Sequence, residues 1–550
     1  MKGRIIMHRI LMATAVMGML ITMPGCGMTA STAGDTQSPV KSGLQTRQAI
    51  FNVYDYGAAG DGKTLDSPAI DRAIEACAKA GGGTVYLSAG TYLSGSIHLK
   101  SNINLYIGPG ATILGAPQEM NAYDLTEPWE GTAYQDFGHT FFHNSLIWGE
   151  NLTNVSITGP GMIDGGGLVK NEDMISHMGG FFLKRNKQEA AASQKKNEPV
   201  RIGNKAIALK LCRNVLMRDF TIYHGGHFAI LATGCDGMTV DNVTMDTNRD
   251  GIDIDCCRNT MVSNCRINSP SDDGLCLKST FALKRNVITE NLTIVNCQVS
   301  GFEEGTLLDG TMKPRKNGTG RIKFGTEANG GFRNVTVSNC TFRSCRGLAL
   351  EEVDGGIMEN IVISNITMMD VVHYPIYITL GRRHRGPDVT VDGTLRNILI
   401  SNVIATGIEK MSGIQITGTP GQPIEGVRLE NIKLVFNGGG THEDAAIIPR
   451  ELGTDYPEPA VIGVMPAYGL FARHVRGLEL ENISVSFVKE DLRPAMICTD
   501  VDGLEIDNFK AQLAADVPAA RFNDVRRLVV RNSPILEEVA AKSQAVPIAK

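Results

Sequence analysis

The sequence predicts an all-β fold, a parallel β-helix (solenoid) with a short N-terminal capping helix. Three observations carry this reading. Glycine is in excess, 61 of 550 residues, against an average near 7%. A short run of alternating apolar residues, opened by Asn or Gly, recurs along the chain. It occurs as Asn214-Val-Leu-Met, Met238-Thr-Val-Asp, Asn291-Leu-Thr-Ile, Asn334-Val-Thr-Val, Asn360-Ile-Val-Ile, Asn397-Ile-Leu-Ile, Gly477-Leu-Glu-Leu and Gly503-Leu-Glu-Ile. Finally, many copies lie 22–26 residues apart, as between 237 and 259 or 334 and 360. Such a coil cannot bury its own apolar face, so neighbours stack to build one core. Leucine-rich repeats share the period, but their regular leucine framework is absent.

The N-terminus reads as an export signal, residues 1–25. Lys2, Arg4, His8 and Arg9 precede an apolar run from Ile10 to Met23. That run is too short to span a bilayer and has signal-peptide length. It ends in Met23-Pro24-Gly25-Cys26, which resembles a lipoprotein cleavage site with Cys26 as the lipidated residue; ordinary cleavage and secretion is the alternative. Residues 26–47 read as a flexible tether, and 48–545 as the solenoid domain. Either reading exports the protein, to the periplasm or as an outer-membrane lipoprotein. Ser67 to Lys79 carries Ile70, Ala73, Ile74 and Cys77 at helical spacing, with Ser67 as N-cap and Pro68 at the first helical position. This is the predicted plug of the N-terminal end.

Hydrophobic residues at 42% and charged residues at 20% describe an ordinary soluble chain. A net charge of −5 leaves no basic excess to neutralise phosphates, which speaks against nucleic acid as a partner. Membrane contact is expected through the lipid alone, and the protein is expected to be a monomer. The 12 cysteines are irregularly spaced and read as buried thiols, with Cys265, Cys297 and Cys340 in one stack.

The most polar constellation spans 248–278: Asn248-Arg249-Asp250-Gly251 on one coil and Ser271-Asp272-Asp273-Gly274 through Lys278 on the next. Counted from their anchors, Asp250 and Asp272 both fall 13 residues on, and so does His227 on the preceding coil. The three aspartates are therefore expected within one or two rungs, with His227 stacked below and Lys278 nearby. Like charges this close raise one another's pKa. A protonated and an ionised carboxyl flanking a bond are what glycoside hydrolysis requires. Plain Asp-Gly turns, or a calcium site, are the alternative readings.

The chain resembles glycoside hydrolase family 28, the polygalacturonase family. The resemblance rests on "FNVYDYGAAGDGKTLDSPAIDRAI", "GGGTVYLSAGTYLSGSIHLKSNINLYI" and "NVSITGPGMIDGGG". It rests further on Asn248-Arg249-Asp250 in place of Asn-Thr-Asp, and on Ser271-Asp272-Asp273 in place of Gly-Asp-Asp. It implies a right-handed, single-stranded helix and single-displacement, inverting hydrolysis of a pectic glycan. Asp272 would be the general acid, Asp250 and Asp273 would hold and activate the water, and no metal or other cofactor is needed. Two departures stand out. The family's Gly-His-Gly slot falls on Gly318-Thr319-Gly320, and its uronate-clamping Arg-x-Lys falls on Ala349-Leu350-Glu351.

Altered sugar specificity is the expectation, with a neutral or differently linked sugar at the scissile site. Asn248, Lys278, His227, Arg321, Lys323, Glu351 and Glu352 are candidate substrate-binding residues. Arg321-Ile322-Lys323 lies one coil early for the clamp and is expected to serve the inserted loop at 303–320 more than the cleft. Glu351 and Glu352 could bind sugar hydroxyls or pair with Arg321, Lys323 or Arg346. Arg382-Arg383-His384-Arg385 reads as a solvated turn. The long loops, among them 440–472, suggest cleft walls and exo action. The competing functions are a polysaccharide lyase on the same solenoid and a noncatalytic glycan-binding solenoid.

Overall fold

Alternating strands with one apolar face have nowhere to bury it except against the next coil, and the chain solves this by winding into a parallel β-helix. The computed structural model describes residues 49–128, 137–170, 201–387 and 389–544. The signal, the tether and Cys26 lie outside the described residues. Each coil contributes a strand to each of three sheets, and neighbouring coils pair in parallel throughout. In one coil these strands are Asp236–Asp241, Thr244–Asp246 and Asp250–Asp255. Inward residues such as Val240, Met245, Ile252 and Ile254 form one continuous apolar core. The crossover rule for parallel strands gives the helix its right hand.

The repeat anchors fall in one column. Val215 pairs with Met238, Met238 with Thr260, Thr260 with Leu292, and Leu292 with Val335. The column runs on through Ile361, Ile398, Val427, Leu478, Leu504 and Leu528. The residue before each adopts a left-handed backbone: Asn214 (φ 53°), Gly237 (71°), Asn259 (54°), Asn360 (57°) and Gly503 (78°) among them. This conformation is costly for residues with a Cβ, and Asn tolerates it because its short amide bonds locally. Those amides form a ladder. The Nδ2 of Asn334 donates to Asn291 at 3.1 Å, Asn360 to Asn334 at 3.1 Å, and Asn397 to Asn360 at 3.3 Å. A second ladder runs through Asn339, Asn365, Asn402, Asn431, Asn482 and Asn508.

The N-terminal plug is the helix Ser67–Lys79, which buries Ile70, Ala73, Ile74 and Cys77. Its N-cap is Asp66 and not Ser67, and the cap makes no side-chain bond to the helix. The Asp66 carboxylate accepts from the amides of Ala59 (2.7 Å) and Gly60 (3.0 Å) instead, tying the helix to the preceding turn. A second helix, Pro534–Gln544, follows the last strand, Ala520–Arg531, and buries Leu536. Among the described residues every cysteine is buried and free of disulfides.

The ladder makes a separable prediction. Asn360→Ala keeps a Cβ in a left-handed position and removes both ladder bonds, so it should destabilise by about 1–2 kcal/mol. Asn360→Gly removes the same bonds but relieves the backbone, and should cost less. Chemical denaturation of both variants checks this; equal losses would show that the backbone conformation is not what Asn supplies.

Candidate active site

The third sheet carries the polar constellation on its outward face, because inward positions of the same strands are filled by the core. Ile252 pairs with Leu275 and Phe228 with Asp250. This sets Asp273, not Asp272, level with Asp250. It also sets His227 level with Arg249 and Asp272, not beneath Asp250. Counting from the anchors fails because the turn into the third sheet is one residue longer in the coils of His227 and Asp273. His227 is fully buried, edge-on to Phe228 with ring centroids 4.3 Å apart.

The three aspartates do converge: an oxygen from each of Asp250, Asp272 and Asp273 lies within 4.8 Å of the others. Arg249, the middle residue of the first motif, reaches across the rung to Asp272 at 2.5 Å and lies 3.7 Å from Asp250. Asn248 ties the two turns together by accepting from Ser271 Oγ at 3.1 Å. Gly318-Thr319-Gly320 packs on this turn, and the Gly320 amide donates to the carbonyls of Ser269 and Asp272, both at 2.9 Å.

The environments of the carboxyls differ. Burial, then the charges of Asp272 and Asp253, push the Asp250 carboxyl well above the usual range. Burial opposes the Asp273 charge as well, but Arg321, Lys323 and Lys278 outweigh it and hold that carboxyl far below the usual range. The Arg321 Nε donates to Asp273 Oδ1 at 2.6 Å, and Lys323 Nζ lies 3.5 Å from Asp273 Oδ2. On the strand Ile322–Ala328 the apolar Ile322 and Phe324 fill the core, so strand alternation sends Arg321 and Lys323 outward. Both cations therefore serve the carboxylates and not the 303–320 loop. Lys278 pairs with Glu327 at 2.9 Å; it acts on Asp273 through its field.

Glu351 and Glu352 part company. Glu351 lies 3.4 Å from Lys323 and 3.9 Å from Arg321, and accepts from Thr326 Oγ1 at 3.1 Å. Burial raises its pKa, and Lys323 and Arg321 work against the rise. Glu352 turns away from the cleft and accepts from the Gly356 amide at 3.0 Å, so its position supports a turn and not a site. Ala349 pairs with Lys323 in register and packs with Tyr374 and Tyr377.

Several participants carry no local sequence signal. Glu458, in the long connection between the strands Ile424–Gly438 and Leu470–Lys489, takes Arg321 NH2 at 2.5 Å and Arg346 NH1 at 3.0 Å. Tyr456 from the same connection places its hydroxyl 2.9 Å from Thr326 Oγ1 and 3.4 Å from Lys323 Nζ. Tyr374 accepts from Arg321 NH1. Buried Asp253 faces His139 at 3.5 Å. Arg383 is not a solvated turn residue: it is buried, 3.3 Å from Glu327 and paired with Asp354.

Residues 50–307 match the family model described as rhamnogalacturonase A/epimerase, pectate lyase-like. A probable polygalacturonase from Vitis vinifera is 23% identical over 414 residues, covering 72% of this chain and 76% of the relative. An endo-polygalacturonase from Pectobacterium carotovorum subsp. carotovorum is 25% identical over 379 residues, covering 66% and 83%. Among solved structures, a hyperthermoactive exopolygalacturonase from Thermotoga maritima superposes with a TM-score of 0.56 at 23% identity, covering 70% of this chain and 87% of that one. By these matches the chain is polygalacturonase-like, similar to glycoside hydrolase family 28.

Proposed function

We propose that the protein is an inverting glycoside hydrolase acting on a pectic glycan with an altered sugar at the scissile site. The observation that carries this reading is the division of charge among three carboxyls within 4.8 Å. Burial and the neighbouring acids favour the neutral form of Asp250, and Arg321, Lys323 and Lys278 favour the ionised form of Asp273. Asp272 is the carboxyl a substrate reaches first, its side chain 29% exposed against 6% for Asp250 and 1% for Asp273.

In the proposed sequence, Asp272 protonates the leaving glycosidic oxygen with a proton drawn from Asp250. Asp250, now a carboxylate, and Asp273 hold the attacking water between them. As the water oxygen bonds to the anomeric carbon and the bond to the leaving oxygen breaks, the water proton passes to Asp250. The resting state is restored, and the net change is addition of one water across the linkage. Arg249 touches both acids of the relay and keeps them in line.

A lyase would need a neutral Lys or Arg as base. Here neighbouring carboxylates outweigh burial and keep Lys278, Arg321 and Lys323 charged, which favours hydrolysis. The three oxygens are also spaced to hold a cation, but the guanidinium groups of Arg249 and Arg321 already supply positive charge there and oppose a second cation. One observation favours retention as a second reading. An oxygen from each carboxyl lies within 4.8 Å of the others, closer than the roughly 6.5–9.5 Å of inverting pairs and inside the roughly 5–5.5 Å of retaining ones.

Four outcomes are expected. On defined pectic oligosaccharides, proton NMR of the first product should show the inverted anomer, and Asp272→Asn should lower kcat by about 10²–10⁴-fold. A retained anomer would assign one carboxylate as nucleophile, and an unaltered Asp272→Asn would remove the catalytic assignment. A raised native pKa at Asp250 means the unfolded chain releases that proton first as pH rises. The native proton then costs stability progressively from the ordinary carboxylate range upward. The Tm of Asp250→Asn relative to the wild type should therefore rise as pH climbs above about 4; a constant difference would show that the carboxyl's pKa is not raised. For export we propose lipidation at Cys26: palmitate labelling in a bacterial host should be lost in Cys26→Ala, and persistence of label would exclude that site.

A further inference from the structure

From the charges around Arg321 we infer that Glu458 is a built-in carboxylate that fills the cationic pocket beside Asp273, so the adjoining sugar subsite takes a neutral sugar and rejects a uronate. This inference rests on the glycosidase reading above and names the substrate class of that same site.

Three cations gather there: Arg321, Lys323 and Arg346. Three carboxylates answer them. Asp273 takes Arg321 at 2.6 Å and Lys323 at 3.5 Å, Glu351 takes Lys323 at 3.4 Å, and Glu458 bridges Arg321 at 2.5 Å and Arg346 at 3.0 Å. The remaining guanidinium nitrogen of Arg321 donates to Tyr374. Every guanidinium nitrogen of Arg321 is thus engaged before any substrate arrives, and the charges of these six groups sum to zero. Arg321 and Lys323 are almost completely buried, so an added uronate would bring an unmatched negative charge into a site screened little by water. The sugar carboxylate would also have to displace Glu458 from two guanidinium groups at once. A hydroxymethyl or methyl group at the same carbon brings neither cost.

The surroundings hold Glu458 in place. Burial works against its charge, yet Arg321 and Arg346 keep its carboxyl below the usual range. Two residues before it, Tyr456 lays its ring 5.5 Å from the Lys323 ammonium and 5.9 Å from the Arg383 guanidinium, and bonds Thr326. Pro459 follows directly and opens a short helix, Pro459–Ile462. Its residue Ile462 packs with Leu452, Met465 and Phe471 in a separate apolar cluster. The connection is therefore seated on its own small core, with Glu458 at its tip over the site.

The test is a matched pair of ligands: short oligogalacturonates and the same oligomers after carboxyl reduction, which turns each uronate into a neutral galactose. Binding to the full-length protein is measured by calorimetry, so the result does not depend on turnover. The wild type should prefer the reduced oligomer. Glu458→Gln should shift the preference toward the acidic oligomer by on the order of tenfold or more, and Glu458→Asp, which restores the charge, should shift it much less. Equal or tighter binding of the acidic oligomer by the wild type would overturn the inference whether or not the variants fold. An unchanged ratio in a folded Glu458→Gln would also overturn it. Binding without cleavage would count against hydrolysis of that linkage and leave this inference standing.

Discussion

The buried pair between Arg321 and Asp273 is the constraint on which the site depends. Bringing both charges out of water costs several kcal/mol per ion, which their mutual attraction offsets only when geometry and further bonds are good. Here the pair is 2.6 Å apart, and the other ends of the guanidinium reach Tyr374 and Glu458. One side chain thereby joins the coil of Asp273, its own coil, the coil of Tyr374 and the distant connection that carries Glu458. The same pair fixes the protonation pattern. Asp273 is stabilised as an anion, while burial and the neighbouring acids push Asp250, 3.7 Å from the nearest guanidinium nitrogen of Arg249, toward its neutral form. Two aspartates on adjacent rungs are thus pushed in opposite directions, because Arg321, Lys323 and Lys278 lie on the Asp273 side while burial and neighbouring acids act on Asp250.

That division is possible because the scaffold under it is rigid. Neighbouring strands lie about 4.8 Å apart, and the Asn ladders hold the first sheet in register over many coils. A carboxyl on one rung consequently meets its neighbour at a distance the side chains alone could not maintain. The helix repeats the same backbone at every coil and places its chemistry where the outward face of the third sheet changes from apolar (Ala208, Leu231) to charged (Asp253, Lys323).

How much of this can be read from sequence follows the range of the interaction that decides it. The anchors are legible because they follow a local backbone rule: the left-handed residue is Gly or Asn in every copy of the column but the last, where it is Arg527 (φ 51°), and the strand after it alternates. The plug helix is legible for the same reason, although its cap is not, since Asp66 spends its carboxylate on Ala59 and Gly60. Register on the third sheet is less legible. One residue more or less in a turn decides whether Asp272 or Asp273 sits level with Asp250, and the anchor spacing does not report turn length separately. Least legible is the answer to Arg321. Its direction follows from strand alternation, but its partners Tyr374 and Glu458 lie 53 and 137 residues away in sequence and belong to no repeat.

Sequence comparison alone would read the absence of Arg and Lys at 349 and 351 as a loss of positive charge. The structure shows that positive charge is present on this face all the same. Arg321 and Lys323 stand one rung earlier on the same face, where Lys323 is level with Ala349, and the acid at Glu351 lies against them. A cation has value to a ligand only in proportion to the charge left uncompensated around it, and here three resident carboxylates compensate it. The specificity of such a cleft is therefore set by how many of its charges are already matched, and not by whether an Arg or Lys is present. In this chain the matching group is delivered by a connection outside the repeat. On the proposed reading, a change of sugar preference would fall on this connection and leave the three aspartates in place.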